Sequence, residues 1–540
     1  MSSWGHFTLE QKVGQLFMCG FHGQHVDEQI MRLIQDYHVG GVIYFRRNVE
    51  SVEQLTRLSA ELQSLAAKSS ELPLMISVDQ EGGMVARIDK DGITRVPGSM
   101  ALGATCNPDY TYQCARILGT ELKRIGIDMN LAPVVDVNNN VLNPVIGVRS
   151  YGENAENVAV HGAAAIAGYQ SSGIAATAKH FPGHGDTAVD SHLGMVTVPH
   201  EWQRLEQVEL RPFRRAIEAD VDAIMTAHVI FPAIEPEPIP ATLSRNVLHK
   251  LLREQMGFKG IIITDCLEMH AISKPYGVAN AAVRAVKAGA DLILVSHTLE
   301  EQIAAIDAVV DAVRHGDIEE QIIDLALERV VEWKQKRCDS QSSQQSSDQS
   351  SQQSSEQSRM PYSLSSVPEK LLLDEIASKS ITVVHNDGVL PLKPEQNVLV
   401  VWPEVVQRTE VDEPWSHSDS LGMVLGQIKN HVREHKITTQ PSYEEAERIT
   451  KSVMEGEQVI VCTYTSAGVL PKGQRYLIER LSVNHSLIVV ALRNPYDLLE
   501  MPRPGAYVCT YENTPAVVRA LSLLITGELN PSGSLPVRLS

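Results

Sequence analysis

Short apolar runs alternate with amphipathic stretches along residues 1–337. Eight of the runs have the length of buried strands, and helical patterns such as Asn157–Ser171 and Ala279–Ala288 fall between most of them. The predicted strands are Gln15–Phe21, Gly41–Phe45, Leu74–Asp79, Asp128–Asp136, Gly173–His180, Ala223–His228, Gly260–Asp265 and Asp291–Ser296. Eight regular strand–helix units predict a closed (β/α)8 barrel of the TIM type, and a doubly wound open sheet is the alternative.

A segment rich in Ser and Gln separates this region from a second α/β pattern. Ser340–Ser358 is built almost wholly from these two residues and cannot form a core, so residues 338–360 are predicted to be a flexible linker. Beyond it we predict four strands and two helices, at Asn397–Trp402, Gln458–Tyr464, Ser486–Ala491, Ala506–Tyr511, Tyr443–Glu455 and Pro515–Thr526. The predicted domains are therefore a barrel at residues 1–337 and a smaller α/β sandwich at residues 361–540.

Polar side chains collect where the predicted barrel strands end. The third strand ends at Asp79, the fifth at Lys179 and His180, and the seventh at Asp265. In a barrel these ends lie on one face, which is where TIM-barrel enzymes build their active sites. For Asp265 considered alone, the alternative role is the N-cap of the next helix, since aspartate is a good cap.

The loop after the fifth strand, residues 179–192, is dense in ionisable groups. Asp190 and His192 stand two positions apart, so in an extended segment both side chains leave from the same side. A carboxylate beside an imidazole orients it and stabilises its protonated form, which suits general acid/base catalysis. A surface loop histidine is the alternative for His192 alone. The loop's His180, His184 and Asp186 also have metal-ligand chemistry, so a zinc site is a further alternative.

Composition excludes several classes of function. The 540 residues are 43% hydrophobic and 21% charged, as in an ordinary soluble protein, and the net charge of −19 argues against nucleic-acid partners. No apolar run is long enough for a membrane span, and the N-terminal residues lack the pattern of a secretory signal. The seven cysteines form no CxxC pair, so free thiols in the cytoplasm are expected.

Several motifs, in order along the chain, resemble glycoside hydrolase family 3 and in particular its β-N-acetylglucosaminidase branch. They are Phe45-Arg46-Arg47-Asn48, Val78-Asp79-Gln80-Glu81-Gly82-Gly83, the run from Asn143 to Tyr151, the loop from Lys179 to His192, and Thr264-Asp265-Cys266. The second half resembles the C-terminal domain of that family through residues 380–388 and 530–537.

The resemblance implies a retaining hydrolase that removes terminal β-linked N-acetylglucosamine and needs neither a cofactor nor a metal. It implies that Asp265 is the nucleophile and that His192 is the acid/base, with Asp190 as its partner. The implied sugar-binding residues are Asp79, Arg87, Arg149, Lys179 and His180. Muropeptide fragments of peptidoglycan are the substrates that the resemblance suggests, whereas it leaves the oligomeric state open.

Three alternatives remain at this stage. A histidine acid/base carries no negative charge that would repel phosphate, so phosphorolysis of the same glycosides is the first. A metal-binding protein built on the loop of residues 179–192 is the second. The third is a non-catalytic sugar-binding protein on the same fold, although Asp190, His192 and Asp265 are all present in the sequence.

Overall fold

The computed structural model describes residues 4–188, 194–348, 367–405, 419–465 and 469–539. Within them a parallel barrel sheet confirms the predicted fold class. Its strands are β1 (Phe17–Gly20), β2 (Gly41–Tyr44), β3 (Met75–Val78), β4 (Met129–Asn130), β5 (Ala175–Phe181), β6 (Ala223–Thr226), β7 (Ile261–Ile263) and β8 (Ile293–Val295). They pair in the order β7-β6-β5-β4-β3-β2-β1-β8, and a bridge between Ile263 and Leu292 joins the two ends of the sheet.

Helices follow most of the barrel strands and cover the outside of the sheet. They are α1 (Leu9–Gly14), α2 (Glu28–Gln35), α3 (Val52–Ala66), α4 (Ser99–Ala104), α5 (Pro108–Arg124), α6 (Ala155–Ser171), α7 (Trp202–Gln207), α8 (Leu210–Glu218), α9 (His270–Tyr276), α10 (Val278–Ala288), α11 (Leu299–Arg314) and α12 (Glu320–Asp348). A π-helix, Asn246–Gln255, takes the place of the α-helix after β6. Two short ribbons accompany the barrel, Gln80–Gly82 with Val85–Ala86 and Val196–Thr197 with Val229–Ile230.

Methionines from several strands fill the barrel interior. Met18, Met75, Met129 and Met225 are all buried there, and Trp333 of α12 belongs to the same apolar cluster. Unbranched, flexible methionine side chains suit an irregular interior of this kind. The interior of the barrel is therefore a packed core.

The second domain is an α/β sandwich around one mixed sheet. Its described strands are β9 (Thr382–Asn386), β10 (Val398–Glu404), β11 (Val432–Thr438), β12 (Gln458–Thr463), β13 (Ile488–Ala491) and β14 (Ala506–Cys509). They pair in the order β9-β14-β13-β12-β10-β11, and β9 is antiparallel to β14. The helices are α13 (Val367–Ser380), α14 (Leu421–Ile428), α15 (Tyr443–Ser452), α16 (Lys472–Ser482) and α17 (Pro515–Thr526).

The connection between the domains differs in part from the prediction. Helix α12 continues to Asp348, so the first residues of the segment predicted as a flexible linker, 338–348, are helical. The rest of the predicted linker lies outside the described residues, and the domain boundaries therefore remain predictions. In the described part of the chain, no helix is both long enough and apolar enough to cross a membrane.

Candidate active site

A cavity of about 330 Å³ opens at the C-terminal ends of the barrel strands. Six of the eight residues predicted from the sequence line it, namely Asp79, Arg87, Arg149, Lys179, His180 and Asp265. The strands bring them together from positions as far apart as residues 79 and 265, as the barrel prediction requires. The other two predicted residues, Asp190 and His192, lie outside the described residues.

Glu81 holds the two basic residues of the cavity in place. Its carboxylate accepts hydrogen bonds from Nε and NH2 of Arg149, at 2.9 and 2.7 Å, and lies 2.7 Å from Nζ of Lys179. The Glu81 side chain is only 4% exposed. Burial alone would raise the pKa of this carboxyl group, but Arg149 and Lys179 hold it well below its usual range. Both cations are thus fixed before any ligand arrives.

Lys179 bridges Glu81 and the predicted sugar ligand Asp79. Its ammonium group donates a hydrogen bond of 2.6 Å to Oδ1 of Asp79. Burial by itself would lower the pKa of Lys179, but the two carboxylates raise it above its ordinary value. A charged, fixed ammonium group beside an aspartate offers a donor and an acceptor to neighbouring hydroxyl groups, as recognition of a sugar requires.

A buried carboxylate, Asp136, organises the start of the loop after β5. Its Oδ2 lies 2.7 Å from Nδ1 of His180, and its Oδ1 accepts a 2.6 Å hydrogen bond from the backbone N–H of His184. Burial would raise the pKa of Asp136, but His180 and the His184 contact lower it. An ionised Asp136 can only accept, so Nδ1 of His180 carries the proton and Nε2 is left for the cavity.

The nearby His184 has a different role. Burial, followed by the neighbouring His180, lowers the pKa of His184 to about 4, so its ring is neutral at neutral pH. Its Nδ1 contacts the hydroxyl of Thr187 at 3.0 Å, and its backbone carbonyl accepts a hydrogen bond from Asn143. His184 therefore helps to fix the beginning of the loop.

Asp265 follows β7 and is half-buried at the cavity wall. Its Oδ1 accepts a 2.7 Å hydrogen bond from the backbone N–H of Cys266. The next helix, α9, begins at His270 with Met269 at its N-cap position. Asp265 is therefore not the cap of that helix, and it lines the cavity.

The residues after Asp265 stabilise the neighbouring strand end. Glu268 accepts hydrogen bonds of 2.6–2.9 Å from the backbone N–H groups of Ser296, His297 and Thr298, which precede α11. A carboxylate next to the N-terminus of a helix interacts favourably with the positive end of the helix dipole. Burial and the nearby Glu268 raise the pKa of the Cys266 thiol to about 12, so Cys266 is an uncharged wall residue.

Sequence reasoning assigned no role to the wall formed by Phe45, Arg46, Arg47 and His297, all of which line the cavity. Arg47 donates to the backbone carbonyl of Ser296 at 2.7 Å, and its NH1 lies 3.2 Å from Nδ1 of His297. The guanidinium also lies 4.3 Å from the ring centroid of Phe45. Phe45, Arg46 and Arg47 follow β2 and stand in one of the motifs that resemble the family, and His297 directly follows the eighth predicted strand, so the sequence located these residues without giving them a role.

Two described clusters have metal-ligand atoms close together, and neither fits a metal. The first contains Asp186, His200 and Glu209, with Nε2 of His200 2.5 Å from Oδ2 of Asp186. Arg204 donates to both oxygens of Glu209, at 2.6 and 2.7 Å, so a positive charge already lies in this cluster. The second contains Cys266, Glu268 and His297. There the Glu268 carboxylate already accepts hydrogen bonds from backbone N–H groups, and NH1 of Arg47 lies 3.2 Å from Nδ1 of His297. A guanidinium within a cluster opposes cation binding.

A closed parallel barrel with paired acidic and basic groups at its strand ends is an enzyme fold with a site for a small polar ligand. Residues 8–333 match the model of the glycosyl hydrolase family 3 N-terminal domain, which is more than half of the chain. The chain belongs to glycosyl hydrolase family 3. This confirms the family that the motifs resemble.

Curated and solved relatives agree with this membership. Beta-hexosaminidase A of Pseudoalteromonas piscicida is 35% identical over 394 residues, which are 69% of this chain and 63% of that protein, so the alignment spans less than two thirds of the relative. The beta-N-acetylglucosaminidase/beta-glucosidase of Cellulomonas fimi is 28% identical, over 99% of this chain and 95% of that protein.

One solved structure is similar along both domains. The glycoside hydrolase family 3 beta-N-acetylglucosaminidase from Paenibacillus sp. str. FPU-7 has a TM-score of 0.92 and 47% sequence identity, with 99% of each chain covered. The alignment with a beta-glucoside phosphorylase, BglX, covers 99% of this chain with a TM-score of 0.80 and 21% identity, which shows a common fold.

Proposed function

We propose that this chain is a retaining exo-β-N-acetylglucosaminidase, which cleaves terminal β-linked N-acetylglucosamine by hydrolysis. The observation that carries the proposal is the 47% identity to the Paenibacillus beta-N-acetylglucosaminidase over 99% of both chains. The cavity supports it, because carboxylates, a lysine, arginines and histidines surround a space suited to one sugar unit.

In the proposed mechanism Asp265 attacks the anomeric carbon and displaces the aglycone oxygen. His192, oriented by Asp190, protonates the departing oxygen and later removes a proton from the water that hydrolyses the glycosyl–Asp265 ester. Two displacements at one carbon return the sugar with its original β configuration. The roles of Asp190 and His192 rest on the family resemblance of the loop.

Five residues would bind the terminal sugar. Asp79, Arg87, Arg149, Lys179 and His180 line one cavity and present both donors and acceptors to ring hydroxyl groups. Because Glu81 and Asp136 already hold Arg149, Lys179 and His180, little side-chain entropy is lost when the sugar binds.

The natural substrates in this proposal are peptidoglycan-derived muropeptides, in which N-acetylglucosamine precedes N-acetylmuramic acid. The proposal places the enzyme in the cytoplasm, in the recycling of cell-wall fragments. Family resemblance supports both points, and assays with purified muropeptides and with fractionated cells test them.

The test compares 4-nitrophenyl glycosides that differ only at the 2-position of the sugar. We expect release of nitrophenol from the β-N-acetylglucosaminide and much slower release from the β-glucoside. Asp265→Ala should lower kcat/KM at least about 10⁴-fold. Asp311→Ala, which changes an exposed aspartate on α11, is the matched control and should leave it unchanged. Equal rates on the two glycosides, or an active Asp265→Ala variant, would contradict the proposal.

The same assay separates hydrolysis from phosphorolysis. Reactions are run in phosphate and in phosphate-free buffer, and the sugar product is identified by mass spectrometry. We expect free N-acetylglucosamine at the same rate in both buffers. Formation of the sugar 1-phosphate in phosphate buffer would identify a phosphorylase instead.

A further inference from the structure

The second domain packs on the barrel segment that follows Asp79, the predicted sugar-binding residue at the end of β3. Met84, Met100, Ala101 and Ala104 of that segment belong to the apolar core of the second domain rather than to that of the barrel. The backbone N–H of Ser534 donates to the carbonyl of Ala104 at 2.8 Å. Part of the segment 84–104 therefore packs on the second domain, whereas Ile88, Val96 and Leu102 of the same segment belong to the barrel core.

Glu512 is the buried polar residue at this contact. It lies between β14 and α17 and is 2% exposed. Its Oε2 accepts a 2.7 Å hydrogen bond from the backbone N–H of Gly98, and its Oε1 accepts one of 3.0 Å from the Thr514 hydroxyl. The carboxyl group thus joins the second domain to Gly98, the N-cap residue of α4.

Gly83 and Gly98 allow Glu512 to lie close to the backbone turn that precedes α4 and follows Glu81. Gly83 has a φ of +56°, and a Cβ there would lie 2.5 Å from Cα of Gly98 and 3.3 Å from Oε2 of Glu512. The N–H of Gly83 donates to the carbonyl of Val96 at 3.0 Å. Gly83, Gly98 and Glu512 are therefore packed closely enough for a shift of Gly98 or Glu512 to be passed to Gly83.

The chain from Gly83 back to Glu81 is only two residues long. Glu81 is the carboxylate that holds Lys179 and Arg149, and its geometry depends on the backbone turn at Gly82 and Gly83. We propose that Glu512 is a positioning residue of the substrate site, which fixes this turn so that Glu81 presents Lys179 and Arg149 to the sugar. This inference rests on the proposed function, because it assigns sugar binding to these two side chains.

The chemistry of Glu512 indicates which substitutions separate positioning from folding. Burial raises the pKa of Glu512 to about 7, against the opposing effects of the Gly98 N–H and the Thr514 hydroxyl. An uncharged glutamine amide therefore resembles the side chain closely and still offers an oxygen to Gly98. Alanine leaves the Gly98 N–H without its acceptor and opens a space beside Gly83.

The experiment measures KM and kcat for Glu512→Ala, Glu512→Gln and the wild type, on the β-glycoside that the wild type hydrolyses fastest. We expect Glu512→Ala to raise KM about tenfold and to change kcat less than about threefold, because binding contacts are lost equally in the ground and transition states. Glu512→Gln should restore KM to within about twofold of the wild type.

A matched control tests whether general weakening of the second domain has the same effect. Thr463→Val removes a buried 2.6 Å hydrogen bond from β12 to Asp497, and β12 is separated by β13 from the strand that leads to Glu512. It should lower Tm while KM stays at the wild-type value, measured at a temperature where all variants are folded. A wild-type KM in folded Glu512→Ala, or an equal rise in Thr463→Val, would overturn the inference.

Hydrogen–deuterium exchange gives a readout that does not depend on activity. Peptides that cover residues 80–104 should exchange faster in Glu512→Ala than in Glu512→Gln or Thr463→Val. Unchanged exchange there would also contradict the inference. Failure of the proposed function would appear differently, because the wild type would then prefer another glycoside. The KM values of Glu512→Ala and the wild type would still be compared on that substrate.

Discussion

Replacing Glu81 by glutamine tests the claim that the basic residues of the site are arranged before the substrate binds. The substitution keeps the size of the side chain but removes its negative charge. Lys179 would keep Asp79 as its anionic partner, whereas Arg149 would lose the carboxylate that binds two of its nitrogens. Both cations would then be buried next to each other with half of their present counter-charge.

The structure sets the expected magnitude. Three close contacts of 2.7–2.9 Å are broken or weakened around a carboxylate that is 4% exposed. Removing one partner from a buried ionic group costs about 3–5 kcal/mol, since the remaining charge stays buried. Loss of one charge-assisted contact to the sugar, about 1.5–3 kcal/mol, corresponds to a decrease of about 10- to 100-fold in kcat/KM.

Urea unfolding and steady-state kinetics measure the two effects. Glu81→Gln should unfold at a clearly lower urea concentration than the wild type and should have the reduced kcat/KM. Glu320→Gln is the matched control, because Glu320 also pairs with a lysine, Lys12, but is 57% exposed and lies far from the cavity. It should change stability by less than about 1 kcal/mol. A Glu81→Gln protein with wild-type stability and kinetics would refute the reasoning.

Three further predictions concern other parts of the site. Asp136→Asn should lower kcat/KM about 10- to 100-fold, because the asparagine amide lets the proton of the His180 ring shift from Nδ1 to Nε2. A kcat/KM within about threefold of the wild type would contradict this. Iodoacetamide at pH 7.5 should alkylate the exposed Cys106 but not Cys266, as measured by peptide mass spectrometry, and should leave activity intact. Rapid loss of activity with alkylation at Cys266 would contradict the raised pKa of the Cys266 thiol. Dialysis against EDTA should leave kcat unchanged, and activity that returns only with added zinc would identify an essential metal.

The barrel was predictable because its strands are buried on both faces and appear as continuous apolar runs. All eight predicted runs overlap an observed strand, and only β5 extends beyond its run, by one residue to Phe181. The fourth is the least accurate, because Asp128–Asp136 was predicted and β4 covers only Met129–Asn130. Pro133 in that run lacks an N–H group for the sheet, and a single bridge at Val134 continues the pairing toward Lys179.

Two strands of the second domain, β9 and β11, were absent from the prediction. Both lie at an edge of the sheet, and each has only one buried residue, Thr382 in β9 and Ile437 in β11. The run Val432–Thr438 contains Arg433, Glu434, His435 and Lys436, so no apolar face appears in its sequence. Charged residues on edge strands are common because they discourage further pairing, and they also remove the signal that predicts a strand.

Site residues at strand ends were predictable from topology, whereas the contacts that position them were not. Asp79 and Asp265 follow strands, and Lys179 lies near the end of β5, and the barrel brings these strand ends to one face. The Glu81 contacts join residues 68 and 98 positions apart in the sequence, and the Glu512 contact spans 414. The Glu81 pairings follow from the packing of the barrel and the Glu512 pairing from the packing of two domains, and neither leaves a local pattern in the sequence.

The central claim, that Asp265 forms a covalent bond to the sugar, can be measured directly. The wild type is incubated with an activated fluorosugar analogue of N-acetylglucosamine, whose glycosyl–enzyme forms quickly and hydrolyses slowly, and is then digested for peptide mass spectrometry. We predict one added sugar on the peptide that contains Asp265, assigned to that residue by fragmentation, and none in Asp265→Ala. A stable adduct on a different carboxylate, such as Asp79 or Glu268, would contradict the account.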